Sequence, residues 1–314
     1  MPLIEADYKL CFMPTMQQLR YLVALEDTLS FSRAAAACHV TQPTLSLQLK
    51  ELESQLGVRL AERTRSRVIM TSIGAQIAQR ARRVLAELDD IRAVARHEQH
   101  GGLHGTLQMG VVQTVGAYVL SVAMPSLRKT YPDLRIVVRE DRLENLPQKL
   151  ADGTHDLLLL PEAITHPDFT SVTLVHEPLQ LVMPADHRLA RMDTVEPEDL
   201  GGETILVMER GRHLHDQIAA LCNKFGAIQA QDYAGTTLDT LRLMVTTGMG
   251  LSLLPALYVR SDVLREKLVV ARPLSHSAPV REVTMAWRRS SPRDEAYQRL
   301  AATIVKSLAP WSSS

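Results

Sequence analysis

Apolar residues between positions 30 and 60 recur at the spacing of two short helices. The first helix is predicted by four residues that would share one face: Phe31, Ala34, Ala35 and Cys38. The second is predicted by a stripe with steps of four, three and four residues: Leu45, Leu49, Leu52 and Leu56. Thr41 is expected to cap the second helix, with Pro43 in its first turn and Gly57 as its stop. The pattern therefore predicts a helix-turn-helix.

The second helix has polar residues at its N-terminal end, on the side away from the apolar stripe. They are Gln42, Thr44, Ser46, Gln48 and Lys50. In helix-turn-helix proteins this end of the second helix enters the major groove of DNA. Glutamine can pair with adenine there, and serine or threonine can contact a base or a phosphate. Helix capping alone would explain each small polar residue, but their order favours DNA binding.

Three arginines, Arg63, Arg65 and Arg67, alternate along the segment after the second helix. Alternate side chains of an extended segment project to one side, which suits either a solvated strand face or a phosphate-binding wing. Because these arginines directly follow the helix-turn-helix, we favour the wing. The predicted DNA-binding residues are Ser32, Arg33, Thr41, Gln42, Pro43, Thr44, Ser46, Lys50, Arg63, Arg65 and Arg67.

One continuous apolar seam runs from Ile73 to Ala95, in steps of three and four residues. It predicts a long helix that Thr71 or Ser72 caps. This helix either lies on its own domain or pairs with a second copy, and its length favours the pair. The residues predicted to hold the dimer are Ile77, Val84, Leu88 and Ile91.

After Gly101 and Gly102, strand-length apolar segments alternate with helical ones. Strands are predicted at 107–112, 134–138, 157–160, 179–183, 204–208, 228–233, 251–254 and 283–288. Helices are predicted up to 131, at 146–151, 215–225, 237–247 and 294–308. The alternation predicts an α/β fold with parallel strands, in two lobes with a ligand crevice at the carboxyl ends of the strands.

These patterns divide the chain into four predicted regions. They are an N-terminal extension at 1–15, a winged helix-turn-helix at 16–71, a linker helix at 72–100 and an effector domain at 101–314. Lobe 1 is placed at about 104–162 and 270–314, and lobe 2 at about 163–269. Met1, Met13 and Met16 are all candidate start residues.

Composition adds limits to this prediction. The 314 residues carry 35 basic and 35 acidic side chains, so electrostatic attraction to DNA must be local. Three widely spaced cysteines predict neither a disulfide framework nor a cysteine-rich zinc site. No long apolar run or signal peptide is present, which predicts a cytoplasmic protein without a membrane partner. No nucleophile, dinucleotide or phosphate-loop motif appears, so neither catalytic residues nor a cofactor are predicted.

The N-terminal motifs resemble those of LysR-type transcriptional regulators. The matching stretches are Ala34-Ala35, Val40 to Ser46, Leu52-Glu53, Leu56-Gly57 and Leu60 to Arg63. The resemblance implies dimers joined through the linker helix, often paired into tetramers, and a two-lobed effector domain similar to periplasmic binding proteins. It also implies promoter DNA, RNA polymerase and a small-molecule effector as partners.

The C-terminal half resembles the hydrogen-peroxide-sensing (OxyR-type) branch, which implies an activator in the oxidative stress response. The matching stretches are Gly110 to Leu120, Thr237 to Arg242, Met244-Val245 and Leu253 to Leu257. His213 stands where that branch has its peroxide-reactive cysteine, and Leu143 replaces a pocket threonine. Cys222 matches the resolving cysteine, and Arg288 is matched to a pocket arginine.

Thr114 and Thr237 fall at predicted helix starts, where backbone N–H groups can bind an anion or a polar group. Helix capping explains them equally well. The predicted effector-binding residues are Thr114, Val115, Gly116, His213, Thr237 and Arg288.

Cys222 is a possible redox residue, but as a lone cysteine among apolar neighbours it is more typical of packing. His213, His215 and Cys222 match no familiar metal-ligand spacing, so no metal site is predicted. Because an imidazole cannot form a disulfide, we predict that a crevice ligand controls the protein. Redox control through Cys222, an enzyme and a solute-binding module remain the alternatives.

Overall fold

The computed structural model describes residues 13–63, 68–100, 103–208, 213–235, 237–265, 267–275 and 279–311. The chain forms two compact units. The first unit comprises residues 1–101 with 148–155, and the second comprises 102–147 with 156–314. Each unit has its own hydrophobic core.

The first unit contains the predicted winged helix-turn-helix. Its helices are α1 (Met16–Thr28), α2 (Phe31–Ala37), α3 (Gln42–Leu56) and α4 (Ser72–His100), and β1 (Ala61–Arg63) pairs antiparallel with β2 (Val68–Met70). As predicted, the Thr41 side chain accepts a hydrogen bond from the Thr44 N–H at 3.5 Å, and Gly57 ends α3 with a φ of 69°. Ala34, Ala35, Leu45, Leu49 and Leu52 are buried in the core of this unit.

Hydrogen bonds fix the base of the β1–β2 hairpin to both neighbouring helices. A carboxylate oxygen of Glu53, on α3, accepts from the Leu60 N–H at 2.8 Å. The Thr71 hydroxyl donates to the Arg59 carbonyl at 2.8 Å and accepts from the Gly74 N–H at 2.9 Å, so Thr71 caps α4. A Cβ on Gly74 would lie 1.9 Å from the Leu60 carbonyl oxygen, so only glycine permits this approach. The hairpin therefore has a defined position relative to α3.

The second unit is the predicted two-lobed α/β domain. Its strands are β3 (Gly105–Val111), β4 (Leu134–Glu140), β5 (Leu157–Leu160), β6 (Phe169–Pro184), β7 (Thr204–Met208), β8 (Ile228–Gly235), β9 (Leu251–Pro255), β10 (Val269–Pro273) and β11 (Val280–Arg288). Its helices are α5 (Gln113–Thr130), α7 (His213–Phe225), α8 (Leu238–Thr246), α9 (Ala256–Ser261) and α10 (Asp294–Leu308). Helix α6 (Leu146–Ala151) begins in this unit and continues into residues 148–155, which group with the first unit.

Two long strands join the lobes. The strand order is β4-β3-β5-β11-β6-β9-β7-β8, and β10 also pairs with β6. The first half of β6 pairs with β11, whereas its second half pairs with β9 and β10. Each lobe keeps parallel pairs, β3 with β4 and β5 in one and β7 with β8 and β9 in the other. Strands β6 and β11 therefore form the crossover between the lobes.

The sheet differs from the sequence prediction in its antiparallel strands. The predicted strand at 179–183 is only the second half of β6, and neither β10 nor helix α9 was predicted. The first half of β6 was missed because polar Thr170, Ser171 and Thr173 interrupt its apolar pattern. Val269 pairs with Pro184, which places β10 beside the second half of β6. The boundary between the lobes that was predicted at about 270 falls at the start of β10.

Candidate functional site

Helix α3 exposes part of the polar face that was predicted for its N-terminal end; Gln48 is half-buried. Thr41, Pro43, Thr44 and Lys50 are exposed, and the hydroxyls of Thr41 and Thr44 lie 2.8 Å apart. Gln42 and Ser46 are half-buried on the flank of the helix. A duplex that meets this face would touch hydroxyl, amide and ammonium groups, which are the groups that read bases and phosphates.

The other predicted DNA contacts come from α2 and the hairpin. Ser32 and Arg33 are exposed in the first turn of α2, and the Arg33 guanidinium donates a hydrogen bond to the Thr28 carbonyl. Arg65 and Arg67, with the side chain of Arg63, lie outside the described residues, so their role as a wing remains a prediction.

The turn between α2 and α3 places His39 in the left-handed region, with a φ of 56°. The His39 N–H donates to the Ala36 carbonyl at 3.2 Å, and its side chain is exposed. An L-residue with a Cβ is disfavoured in this conformation, which glycine adopts readily. The turn that sets the angle between α2 and α3 therefore carries backbone strain.

Helix α4 divides the predicted dimer seam between two environments. Ile77 packs against the core of the first unit. Farther along the helix, Val84 is 40% exposed, Leu88 is half-buried and Ile91 is 65% exposed. The Arg82 guanidinium ties α4 to α1 through Glu26 and Asp27, at 2.8 and 2.5 Å. The second half of the seam is the part that remains available to another copy.

A buried ion pair lies at the crossover of the second unit. Arg281 and Glu177 are 1% and 0% exposed, and their Nε–Oε2 distance is 2.6 Å. Arg281 also donates to the carbonyl and the hydroxyl of Thr114, at 2.8 and 3.3 Å. The second Glu177 oxygen accepts from the Leu257 N–H at 2.7 Å. One ion pair thus holds the start of α5 and the start of α9.

Two tyrosines extend this cluster towards α8. Tyr118, one turn after Thr114, meets the Tyr258 ring edge-on at 5.2 Å. The Tyr258 hydroxyl donates to Asp239 at 2.9 Å, and Thr237 caps the same helix by accepting from the Thr240 N–H at 3.1 Å. Burial raises the pKa of both tyrosines, and the Asp239 carboxylate raises it further, so both hydroxyls stay protonated. Thr114 and Thr237 therefore flank one polar cluster.

The other predicted effector residues next to Thr114 are Val115 and Gly116, and they have packing roles. Val115 is fully buried, and a Cβ on Gly116 would lie 2.4 Å from the Val111 side chain, so Gly116 permits the close approach of α5 to the end of β3. The side chain of His213 lies outside the described residues.

Arg288 does not lie beside Thr114, although both were predicted to bind the effector. It is seven residues beyond Arg281 on β11, roughly 23 Å along an extended strand. The arginine beside Thr114 is Arg281, which the sequence analysis did not select. No local motif marks it, because its partners come from distant parts of the chain.

Cys222 lies in the core of the second lobe, 2% exposed, beside Ile218 and Leu221. Burial raises the pKa of the Cys222 thiol. Burial also raises the pKa of the half-buried Cys38 thiol, although the charge of Arg20 acts to lower it. The Cys222 thiol therefore lacks the exposed, electropositive surroundings that make a cysteine reactive. At Cys38 burial outweighs the charge of Arg20.

No group of three potential metal ligands occurs in the part of the chain that the structure describes. No helix among those residues is long and apolar enough to cross a membrane.

Two family models match consecutive parts of the chain. Residues 16–75 match the "Bacterial regulatory helix-turn-helix protein, lysR family", and residues 100–309 match the "LysR substrate binding domain". The chain belongs to the LysR family. LysR-family proteins are DNA-binding transcription regulators, which confirms the prediction of a regulator rather than an enzyme.

Known members of the LysR family resemble the chain over most of its length. The "DNA-binding transcriptional dual regulator OxyR" of Escherichia coli K12 is 37% identical over 289 residues, 92% of this chain and 94% of that protein. The "Hydrogen peroxide-inducible genes activator" of Pectobacterium carotovorum is also 37% identical, over 92% of this chain and 95% of that protein. A structure of a full-length OxyR variant from Pseudomonas aeruginosa is 33% identical with a TM-score of 0.77, over 92% of this chain and 94% of that one.

Proposed function

We propose that this LysR-family regulator binds promoter DNA as a dimer or tetramer and is switched by a small molecule in its C-terminal crevice. The observation that carries the DNA-binding part is the exposed N-terminal end of α3, opposite a buried leucine stripe. The proposed contacts are those predicted from the sequence on α2, α3 and the hairpin arginines. The protein would work in the cytoplasm, where promoters and RNA polymerase are found.

The proposed domain boundaries follow the predicted ones, with DNA binding at 16–71, the linker at 72–100 and effector binding at 101–314. The proposed ligand region lies around the starts of α5 and α8. Thr114 and Thr237 flank it, together with Tyr118, Tyr258 and Asp239. A ligand that binds this region better in one arrangement of the lobes would shift the equilibrium towards that arrangement.

The relatives' names favour peroxide stress as the setting in which this activator works. Two kinds of control fit that setting. We favour control by a bound ligand, because Cys222 is buried and His213 stands where the OxyR-type branch has its reactive cysteine. Redox control through Cys222 is the second candidate. A solved OxyR mutant from Corynebacterium glutamicum is described as "H2O2-bound", which favours peroxide as one candidate for the bound ligand.

Footprinting of the promoter beside the protein's own gene tests the DNA-binding part. We expect Gln42→Ala to cost on the order of 1–3 kcal/mol of binding free energy and to relax preference at one base position. We expect Arg65→Ala to weaken binding to all DNA sequences equally. It should also lower, by about one, the slope of the logarithm of the binding constant against the logarithm of the salt concentration. Arg188→Ala, at an exposed surface ion pair of the effector domain, is the matched control and should change neither.

The opposite pattern would contradict this docking. If Arg65→Ala altered base preference while Gln42→Ala did not, α3 would not be the element that reads bases.

A further inference from the structure

Leu47 is an exposed apolar residue in the middle of the recognition helix α3. Its side chain is 58% exposed. It follows the buried Leu45 by two residues, which corresponds to about 200° around an α-helix. Leu47 therefore projects directly away from the core of the domain, whereas Gln42 and Ser46 lie on the flank.

The neighbours of Leu47 on this outward strip are polar or small. Pro43 precedes it by four residues, and Lys50, Glu51 and Ser54 follow by three, four and seven; all four are exposed. These spacings place them along one strip of the helix surface together with Leu47. A single leucine in a polar strip is far smaller than the apolar patch that a protein partner needs. The strip is instead a narrow polar surface with one apolar side chain, and a helix of this width fits the major groove of a duplex.

The chemistry of the groove identifies what a leucine can recognise there. Among the four bases, only thymine presents a methyl group on the major-groove edge, next to hydrogen-bonding atoms. A leucine placed against an amino or carbonyl group would displace its water without replacing the hydrogen bond. Against the C5 methyl of thymine, the same side chain buries apolar surface on both partners.

We propose that Leu47 contacts the methyl group of thymine and makes the recognition helix select thymine at one position in each half-site. This inference rests on the proposed docking of α3 in the major groove. Leu47 supplies the apolar part of recognition, while Gln42 and Ser46 supply hydrogen bonds. A change at Leu47 would alter which sequence is chosen more than how strongly phosphates are held.

Replacement of thymine by deoxyuridine tests the proposal, because it removes only the methyl group. A preferred duplex is first selected from random sequence with the full-length wild-type protein at fixed salt. Its thymines are then replaced singly by deoxyuridine, and the Kd of each duplex is measured for wild type, Leu47→Ala and Leu47→Met. Leu243→Ala, an equally exposed leucine in the effector domain, is the control.

We expect one replacement in each half-site to weaken wild-type binding about fourfold, the effect of one buried methyl group. Leu47→Ala should bind the thymine and deoxyuridine duplexes equally, while Leu47→Met and Leu243→Ala should keep the difference. The proposal is overturned if wild type binds all the duplexes equally, or if Leu47→Ala keeps the full difference. If wild type enriches no sequence at all, the proposed base reading by α3 fails together with this inference.

Discussion

The DNA-binding unit and the effector unit differ in how far along the chain their decisive contacts reach. In the first unit, Thr41 caps α3 through a residue three positions away, and Glu53 holds the hairpin through one seven positions away. In the second unit, Arg281 binds Glu177 and Thr114 across 104 and 167 residues. Short-range contacts leave a pattern in the sequence that can be interpreted directly. Long-range contacts appear only once the sheet has assembled.

The energetic consequences differ in the same way. Caps and turns each contribute about 1 kcal/mol and act almost independently. A buried ion pair costs several kcal/mol to desolvate and is stable only when every partner is in place. The crossover of the effector domain should therefore respond to single substitutions far more strongly than the helix-turn-helix.

The largest effect is expected at the linker helix, where the first unit leaves Val84 and Ile91 exposed. Leu88→Glu with Ile91→Glu should give monomers in sedimentation, because two carboxylates would enter an apolar seam. A monomer cannot bind two half-sites of the operator at once, so its affinity for the operator should be about 100- to 10,000-fold lower. The control is Ile228→Glu, at an exposed apolar residue of the effector domain. A doubly substituted protein that stayed dimeric would exclude this seam.

The next effect is expected at the buried ion pair. Arg281→Met leaves the Glu177 carboxylate buried without its guanidinium partner, which should lower the free energy of unfolding by about 3–5 kcal/mol. Denaturant unfolding followed by the fluorescence of buried Trp287, on the same strand, measures it. Arg188→Met, at an exposed pair with Glu203, should cost less than about 1 kcal/mol.

Equal losses for Arg281→Met and Arg188→Met would show that the buried ion pair of the effector domain is no more sensitive to substitution than an exposed one. The double variant Glu177→Leu with Arg281→Met should recover part of the loss, since it leaves no uncompensated buried charge.

The smallest effect is expected at the strained turn of the helix-turn-helix. His39→Gly should raise the free energy of unfolding by about 0.5–1 kcal/mol, because glycine adopts a φ of 56° without the Cβ conflict. His39→Ala keeps the Cβ and should give no such gain. Thermal unfolding followed by circular dichroism compares the two. A gain for alanine equal to that for glycine would show that the histidine side chain, rather than the backbone, is the cause.

The sequence was sufficient for the helix-turn-helix because its determinants are periodic and close together. The leucine stripe predicted α3, and Thr41 and Gly57 predicted both of its ends. The same helical period also predicts that Leu47 faces away from the leucine stripe. The sequence analysis considered only polar residues on that face and so did not select Leu47. The two-lobed α/β class also followed from alternating strands and helices.

The polar cluster of the effector domain could not be predicted in this way. Thr114 and Thr237 were selected as helix starts, but their neighbours Arg281, Glu177 and Tyr258 are brought in by strand pairing and by α9. Arg288 was selected from a family match, whereas register places Arg281 beside Thr114. A buried charge pair spread over more than 100 residues has no local pattern by which to recognise it.

The most direct test of the proposed control is mild peroxide treatment of the full-length protein, followed by mass spectrometry and promoter footprinting. Wild type and Cys222→Ala are compared, since alanine introduces no buried hydroxyl that would need a partner. We expect no specific Cys222 disulfide and the same footprint for both proteins, because the Cys222 thiol is buried and its pKa is raised. A peroxide-induced Cys222 disulfide that shifts the wild-type footprint, and is absent from Cys222→Ala, would contradict ligand control and establish redox control.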